Sequence, residues 1–498
     1  MVFICFALPI KHFLHDQEIG PIKCCKLYII MRRTKIVCTI GPKTATKEML
    51  LELAKGGMNV VRLNMSHGTH EWHGGVVDLV HEINKETEYN LSVMIDTKGP
   101  EIRSGDLKKP LEIKIDDQIV FTIRKEPEYP EYTTEINYDG FINDVEVGDV
   151  VLVDSGMINL EITEITDTDV ICKSLDNGVL TSRRHLNIRG KSANLPPITD
   201  KDWADIDFGI SKNVDYFALS FVNDAPVVEE LRAYIKAKGA RIQIISKIES
   251  TDAVKNMHAI VDASDAVMIA RGDLGAELPV EEVPLVQTDI VNYCRKRNKP
   301  VITATQLLES MMVNPTPTRA EVTDIFYAVK LRTDAIMMSG ETANGNHPLK
   351  ALDVMDTVAQ RTERTFYNDK NIIIESSTNP KNEMALGACV IANNIVARAI
   401  LAFSATGETA RLIAQCRPNS PIFGFAATDE VKRVLSLSWG VNAYTLPFND
   451  KNPEEVVQKA VAILTQKGYL AAGDKVVVVS NVLSGEELVH AVQVRIVK

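Results

Sequence analysis

Polar residues that could do chemistry gather at the C-terminal ends of short apolar runs. Arg62, Asn64 and Ser66 close one such run, and Asp96, Thr97 and Lys98 another. Lys247 with Glu249, Arg271 with Asp273, Thr305, and Ser339 with Glu341 close four more. Glu249 and Asp273 end consecutive runs, so two carboxylates would share one rim. They offer hard oxygen ligands to Mg²⁺ or Mn²⁺, ions that take few protein ligands and complete their shell with water and substrate oxygens. Each residue taken singly has an ordinary alternative, since an Asp beside a turn caps a helix and a Glu pairs with a nearby cation. Six runs carrying such groups at the same end are harder to ascribe to capping. Thr305 and Ser339 do not read as nucleophiles, because no recognisable motif sets a His or Lys base beside either. Gly190, Lys191 and Ser192 look like the close of a Walker loop, but that loop needs a glycine at position 185, which is His185.

The elements that must position these groups are legible from residue 34 onward. Eight apolar, β-branched runs recur: TKIVCTI, NVVRLN, LSVMID, VDYFALS, IQIISKI, DAVMIA, KPVITAT and DAIMMSG. Segments of helical composition lie between most of them, including 225–239, 282–298, 318–331 and 347–366. Strands that are apolar throughout and separated by helices indicate a parallel sheet buried on both faces. Eight units predict a closed (β/α)8 TIM barrel, whose C-terminal rim is where such barrels carry their active sites. Between the third and fourth runs the texture changes: LEIKI, IVFTI, VVLVD, INLEIT and VICKSL, punctuated by Gly and Asp, predict a small all-β insertion over 101–187. Setting it aside leaves 31–100 and 188–366, about 250 residues, the usual length of such a barrel. After the polar stretch 368–382 a new alternation, AILAFS, PIFGF, NAYTLP, DKVVVVS and VQVRIV, predicts a separate C-terminal α/β domain over 380–498.

Composition agrees with several packed domains. The chain has 498 residues, 45% hydrophobic and 24% charged, the balance of a soluble globular protein. Its net charge of -11 argues against a nucleic-acid or membrane-surface partner, although a few cations focused in a cleft still suffice for an anionic substrate. The eight cysteines include no Cys-x-x-Cys pair, so neither a zinc site nor a disulfide framework is expected and a reducing compartment fits. No apolar run approaches the ~18 residues of a membrane span. The opening MVFICFALPI lacks the basic stretch that precedes a signal-peptide core, so secretion is not expected. Residues 1–30 are set apart as an N-terminal extension, disordered or part of a targeting sequence. They contain no Arg and no Ser, which fits a transit peptide poorly, and Met31 as the true start is an equal alternative.

Seven motifs in order carry a family resemblance: RLNMSHG (62–68), DTKGPEIR (96–103), IISKIES (244–250), ARGDLGAELP (270–279), ATQLLESM (304–311), PTRAE (317–321) and MSGETA (338–343). The chain resembles pyruvate kinases from about residue 33 to its C-terminus. That resemblance implies phosphoryl transfer from phosphoenolpyruvate to ADP, giving pyruvate and ATP in the last step of glycolysis. It implies that Glu249 and Asp273 bind Mg²⁺ or Mn²⁺, while Asn64, Ser66, Asp96 and Thr97 hold K⁺. Glu101 matches the K⁺-requiring members, whose K⁺-independent relatives carry Lys there. Arg62 and Arg103 would grip the transferring phosphoryl group, with Lys247 beside it and the developing enolate. Gly272 and Asp273 would contact substrate, and Thr305 with Ser339 would order the water that protonates the enolate. Arg62, Asn64, His67 and Arg103 would face the nucleotide.

The resemblance also makes the insertion a β-barrel lid that closes over ATP or ADP. The lid segment VDSGM (153–157) keeps Asp154 but has Ser155 where a second Asp is common. In the C-terminal domain the turn SATGETAR (404–411) matches the place where regulated members bind a sugar phosphate. Ser404, Thr406 and Thr409 offer hydroxyls there, whereas Ala405 and Glu408 stand where basic residues are common and SNVLSGEEL departs from the usual effector loop. A homotetramer is implied by resemblance only. The stretch LNIRGKSANLPPITDKDW (186–203) is similar to plastid and bacterial forms, so both the cytoplasm and, as the alternative, the plastid stroma are expected compartments. Two competing readings are another metal-dependent barrel enzyme of the same substrate class, such as a phosphoenolpyruvate mutase or an aldolase, and a regulatory subunit of low turnover. The first gives no reason for the inserted lid. The second is opposed by the intact set Arg62, Arg103, Lys247, Glu249 and Asp273, although Ser155 and Asn344 depart from the pattern.

Overall fold

The computed structural model describes residues 32–154, 156–191, 194–366, 379–448, 452–484 and 487–498. The expectations for residues 1–30 and for Ser155 lie outside the described residues.

The eight apolar runs form eight parallel strands: β1 (Lys35–Thr39), β2 (Val60–Asn64), β3 (Ser92–Asp96), β4 (Tyr216–Leu219), β5 (Gln243–Ile248), β6 (Ala266–Ala270), β7 (Val301–Ala304) and β8 (Ala335–Met338). Each pairs with its sequence neighbours, and β8 closes on β1, where Lys35 pairs with Ala335 and Cys38 with Met338. Alternation along the strands builds two layers of core. Val37, Val60, Met94, Ala218, Ile245, Met268, Ile302 and Met337 fill the inside of the barrel. Ile36, Val61, Ile95, Phe217, Ile244 and Ile269 face out against the surrounding helices. Strands buried on both sides must be apolar on both, which is why these runs do not alternate with polar residues.

Local signals fix where the chain leaves each strand. Ser250 follows β5 and caps the helix Thr251–Lys255 by accepting from the Ala253 N–H, so Glu249 sits at the strand-to-helix junction. Thr199 with Asp202 and Thr318 with Glu321 form capping boxes at the helices Asp200–Ser211 and Arg319–Lys330. Each box satisfies two backbone donors that a helix start leaves unpaired.

The insertion between β3 and β4 is a seven-stranded sheet running from Ile102–Arg103, its edge strand, to Thr133–Glu135, with a small two-stranded sheet beside it. Its own apolar core includes Ile119, Phe121, Phe141, Val151 and Leu160. The edge strand pairs antiparallel with His185–Ile188, so the chain enters and leaves the insertion side by side at the barrel's rim.

The C-terminal sheet comprises β9 (Ala399–Ser404), β10 (Ile422–Ala426), β11 (Val441–Thr445), β12 (Lys475–Ser484) and β13 (Glu487–Ile496) in the order β11-β10-β9-β12-β13. The final pair is an antiparallel hairpin of ten-residue strands, longer than the VQVRIV run suggests. This domain packs on the barrel's N-terminal face through buried ion pairs. Arg417 donates to Asp334 at 2.9 Å with both side chains at or below 1% exposure, and Arg433 meets Asp215 at 2.8 Å. The Lys35 ammonium donates to the Val441 carbonyl at 2.7 Å, and Arg417 lies 4.9 Å over the Trp439 ring. Among the described residues no helix is long and apolar enough to cross a membrane.

Candidate active site

The barrel's C-terminal rim gathers the groups expected there around one ammonium. Lys247 extends from β5, and its Nζ lies 2.8 Å from Glu249 Oε1, 3.0 Å from Asp96 Oδ1 and 2.8 Å from the Ser220 hydroxyl. Three acceptors use all three of its protons. Lys247 is 9% exposed, Asp96 and Glu249 each 1%. Burial alone would lower the lysine's pKa, but the carboxylates of Asp96 and Glu249 outweigh it and hold the ammonium above the ordinary lysine range. The charge is therefore permanent at neutral pH.

Arg62 supplies the second cation. Its Nε donates to Asp96 Oδ2 at 2.6 Å and its Nη1 to the Thr39 hydroxyl at 2.9 Å. Asp96 thus stands between two cations, which pull its carboxyl below the usual range although burial pushes the other way. Arg103, on the insertion's edge strand, donates from Nε to Glu101 Oε2 at 2.7 Å and from Nη1 to the Arg183 carbonyl at 2.9 Å. In both arginines Nη2 has no protein partner among the described residues. Two oriented guanidiniums, each with one free edge, are what recognition of a phosphoryl oxygen requires. Glu101, 12% exposed and also 3.8 Å from Lys98, is no free surface carboxylate: it orients Arg103.

Glu249 and Asp273 bear the cost of burial. Burial pushes the Glu249 carboxyl up to about 7, against the pull of Lys247 and of the Phe221 N–H, which donates to Oε2 at 2.6 Å. Asp273 is also raised by burial, with Glu101 and Asp96 adding repulsion, and receives no hydrogen bond among the described residues. An oxygen-seeking divalent cation fits such a pair, since it would supply the charge the pair lacks. No cluster of three or more metal-binding side chains occurs among the described residues, so an ion here would rely on water and substrate for the rest of its shell. Asn64 Oδ1 accepts from the Ser66 N–H at 3.1 Å, and the Thr97 carbonyl accepts from the Ser220 hydroxyl at 2.6 Å. Asn64 is the register partner of Asp96 on the neighbouring strand, and Asp96 and the Thr97 carbonyl offer oxygen donors beside Lys247, the donor type a monovalent cation takes.

The remaining expected residues are placed less uniformly. Thr305 follows β7 with φ at +64°, a conformation β-branched residues rarely adopt. Its hydroxyl accepts the Gly272 N–H at 2.9 Å and donates to the Ala304 carbonyl at 2.7 Å, so its proton already has a partner. The Ser339 N–H donates to Glu341 Oε2 at 2.7 Å, and its hydroxyl has no partner among the described residues. His67 lies in an exposed turn, where its carbonyl accepts from His73. Ser404, Thr406 and Thr409 lie in the C-terminal domain, on a turn and helix start away from this cluster.

Two rim residues escape the sequence reading. Thr39 ends β1 and orients Arg62, while Ser220 follows β4 and joins Lys247 to the Thr97 carbonyl. The signal that would have found them is the register that exposed the other six strand ends. A hydroxyl at a strand end reads as capping unless its neighbours are known.

Comparison with known proteins identifies the family. Residues 31–352 match the pyruvate kinase barrel domain, and residues 382–490 the pyruvate kinase alpha/beta domain. The chain is 46% identical over 472 residues to "Plastidial pyruvate kinase 2" of Arabidopsis thaliana, covering 94% of this chain and 81% of that one. It is 48% identical to "Pyruvate kinase isozyme G, chloroplastic" of Nicotiana tabacum, covering 90% and 80%, and 40% identical to "Pyruvate kinase" of Bacillus licheniformis, covering 94% and 81%. A crystal structure of a pyruvate kinase from Cryptosporidium parvum superposes with a TM-score of 0.86 at 35% identity, over 93% of this chain and 96% of that one. The chain belongs to the pyruvate kinase family.

Proposed function

We propose that the rim around Lys247 transfers the phosphoryl group of phosphoenolpyruvate to ADP, with Arg62, Arg103, Lys247, Glu249 and Asp273 as its working parts. The observation that carries this reading is the Lys247 ammonium, held by Asp96, Glu249 and Ser220 next to the two raised carboxylates. When bound, a divalent ion at Glu249 and Asp273 would offset negative charge on substrate oxygens. Arg62 and Arg103 present their free Nη2 groups to the phosphoryl oxygens, and fixed donors of this kind need no reorganisation as charge develops. Lys247 stabilises the enolate oxygen that forms as the phosphorus–oxygen bond breaks. The Thr305 and Ser339 hydroxyls order the water that then protonates the enolate carbon, with the Gly272 N–H holding Thr305 in place. Asn64, Ser66, Asp96 and Thr97 would hold K⁺. ADP lies over Asn64 and His67, and closure of the 101–187 insertion brings Arg103 to it.

The quaternary and cellular expectations are supported more coarsely. Val280, Leu285 and Val313 on the barrel, and Val494 and Ile496 on the edge strand β13, are more than half exposed, which supports a homotetramer built through both domains. Relatives named plastidial or chloroplastic at 46% and 48% identity support the plastid stroma, the alternative compartment, over the cytoplasm.

Mn²⁺ binding read by electron paramagnetic resonance tests the metal site apart from turnover. Glu249→Gln and Asp273→Asn are each expected to weaken it at least tenfold while the protein stays folded. Undiminished Mn²⁺ binding by both variants would refute the assignment.

A further inference from the structure

The turn that follows β9 separates two cavities, and its cations lie on the side opposite the expected one. Ser404, Thr406 and Thr409 border a cavity of about 290 Å³ whose walls include Phe403, Phe448 and Leu412. The one lysine there, Lys381, is held by Glu408 at 2.6 Å, and His490 is paired with Asn481 at 2.7 Å. A phosphate entering that cavity would meet the Glu408 carboxylate.

Behind the same turn, Ala405 and Thr406 also border a second cavity of about 340 Å³, between the C-terminal domain and the N-terminal end of β5. Four cations converge on it. Arg232 and Lys236 come from the helix Ala225–Ala237, Arg241 from the loop after it, and Arg411 from the helix Glu408–Gln415. Arg232 is paired with Asp265 at 3.0 Å. Lys236 and Arg241 have no partner among the described residues, and Arg411 makes only a long 3.4 Å bond to Gln243 Oε1. Three cations with no carboxylate partner face this void against one carboxylate, Glu430, so in a chain of net charge -11 the cavity keeps a local positive field for an anion to neutralise.

We propose that this second cavity binds a small sugar phosphate. Lys236, Arg241 and Arg411 take the phosphate through charge-assisted hydrogen bonds, while Glu430, Gln243 and Thr406 take the hydroxyls. Glu430 disfavours a ligand that is anionic throughout and suits one with a neutral polyhydroxyl end. The lining holds no aromatic ring, so there is no platform on which a nucleobase would stack. The volume lies at the low end of the ~300–1,000 Å³ typical of small-molecule sites. The site is independent of the rim: Gln243 begins β5, and Lys247 lies near the strand's other end.

Calorimetric titration of the full chain tests this, with glucose 6-phosphate, inorganic phosphate and AMP as separate probes and phosphoenolpyruvate saturating the rim. Glucose 6-phosphate is expected to bind saturably. The Lys236→Ala/Arg241→Ala double variant should weaken it about tenfold or more, since two charged donors are lost. Arg411→Gln should also weaken it, and Ser404→Ala/Thr409→Ala should leave it unchanged. Lys236 and Arg241 are exposed, so the double variant is expected to melt like the parent. No saturable binding, equal binding by the folded double variant, or loss confined to Ser404→Ala/Thr409→Ala would overturn the site. Phosphate binding as tightly as glucose 6-phosphate, or AMP more tightly, would overturn the sugar-phosphate assignment.

Discussion

Lys247→Met removes one charge and nearly preserves volume, and its two consequences differ in size. A lysine ~4 Å from a full negative charge is worth roughly 4 kcal/mol at an effective dielectric of ~20, about three decades in rate. Turnover at saturating phosphoenolpyruvate should therefore fall about a thousandfold. Folding should suffer less. Breaking a buried ion pair costs ~3–5 kcal/mol when it strands a charge. Asp96, however, keeps Arg62 at 2.6 Å, and Glu249, already pushed up to about 7, takes a proton in place of the lost ammonium. The variant is expected to melt at a lower temperature but to remain folded. Pyruvate formation, measured beside the melting curve, separates the two effects. A folded variant retaining more than a tenth of the parent's kcat would refute the claim that this ammonium stabilises the enolate.

Ser220→Ala takes one acceptor from Lys247 and the donor from the Thr97 carbonyl; kcat should fall about tenfold with the KM for phosphoenolpyruvate little changed, and Ser220→Thr should restore part of it. The raised Glu249 carboxyl predicts a pH dependence of metal affinity. Its folded pKa of about 7 lies above its unfolded value, so below pH 7 a cation must displace a proton. Apparent Mn²⁺ affinity should rise by up to about tenfold per unit towards pH 7 and level off above it, whereas a flat profile from pH 5.5 to 7 would contradict the shift. The same shift makes this group's contribution to stability fall as pH rises through that window. At the domain junction, Arg417→Met strands the buried Asp334 charge and should cost about 3–5 kcal/mol in urea unfolding, with adding Asp334→Asn recovering part of it.

Much of the barrel was legible because its strands need apolar residues on both faces, so LSVMID and DAVMIA stand out from their helical surroundings without an alignment. The rim was legible for a related reason. A charged residue at the end of such a run, as Lys247 in IQIISKI, has no place in a core and must be explained. Contacts that depend on three-dimensional neighbours were not legible. Thr39 and Ser220 are ordinary strand-end hydroxyls until Arg62 and Lys247 are placed against them. Glu101 looked like a cation-dependence marker, and only the fold shows it bridging Lys98 and Arg103. The turn at 404–411 was legible as a strand-to-helix turn, but which of its faces carries cations depends on Lys236 and Arg241, more than 160 residues earlier in the chain.

Phosphoryl transfer at the rim is checked by following pyruvate formation from phosphoenolpyruvate and ADP with Mg²⁺, in the presence and absence of K⁺. Turnover is expected to rise strongly with K⁺. Folded protein that binds phosphoenolpyruvate but yields no pyruvate in either salt would contradict it.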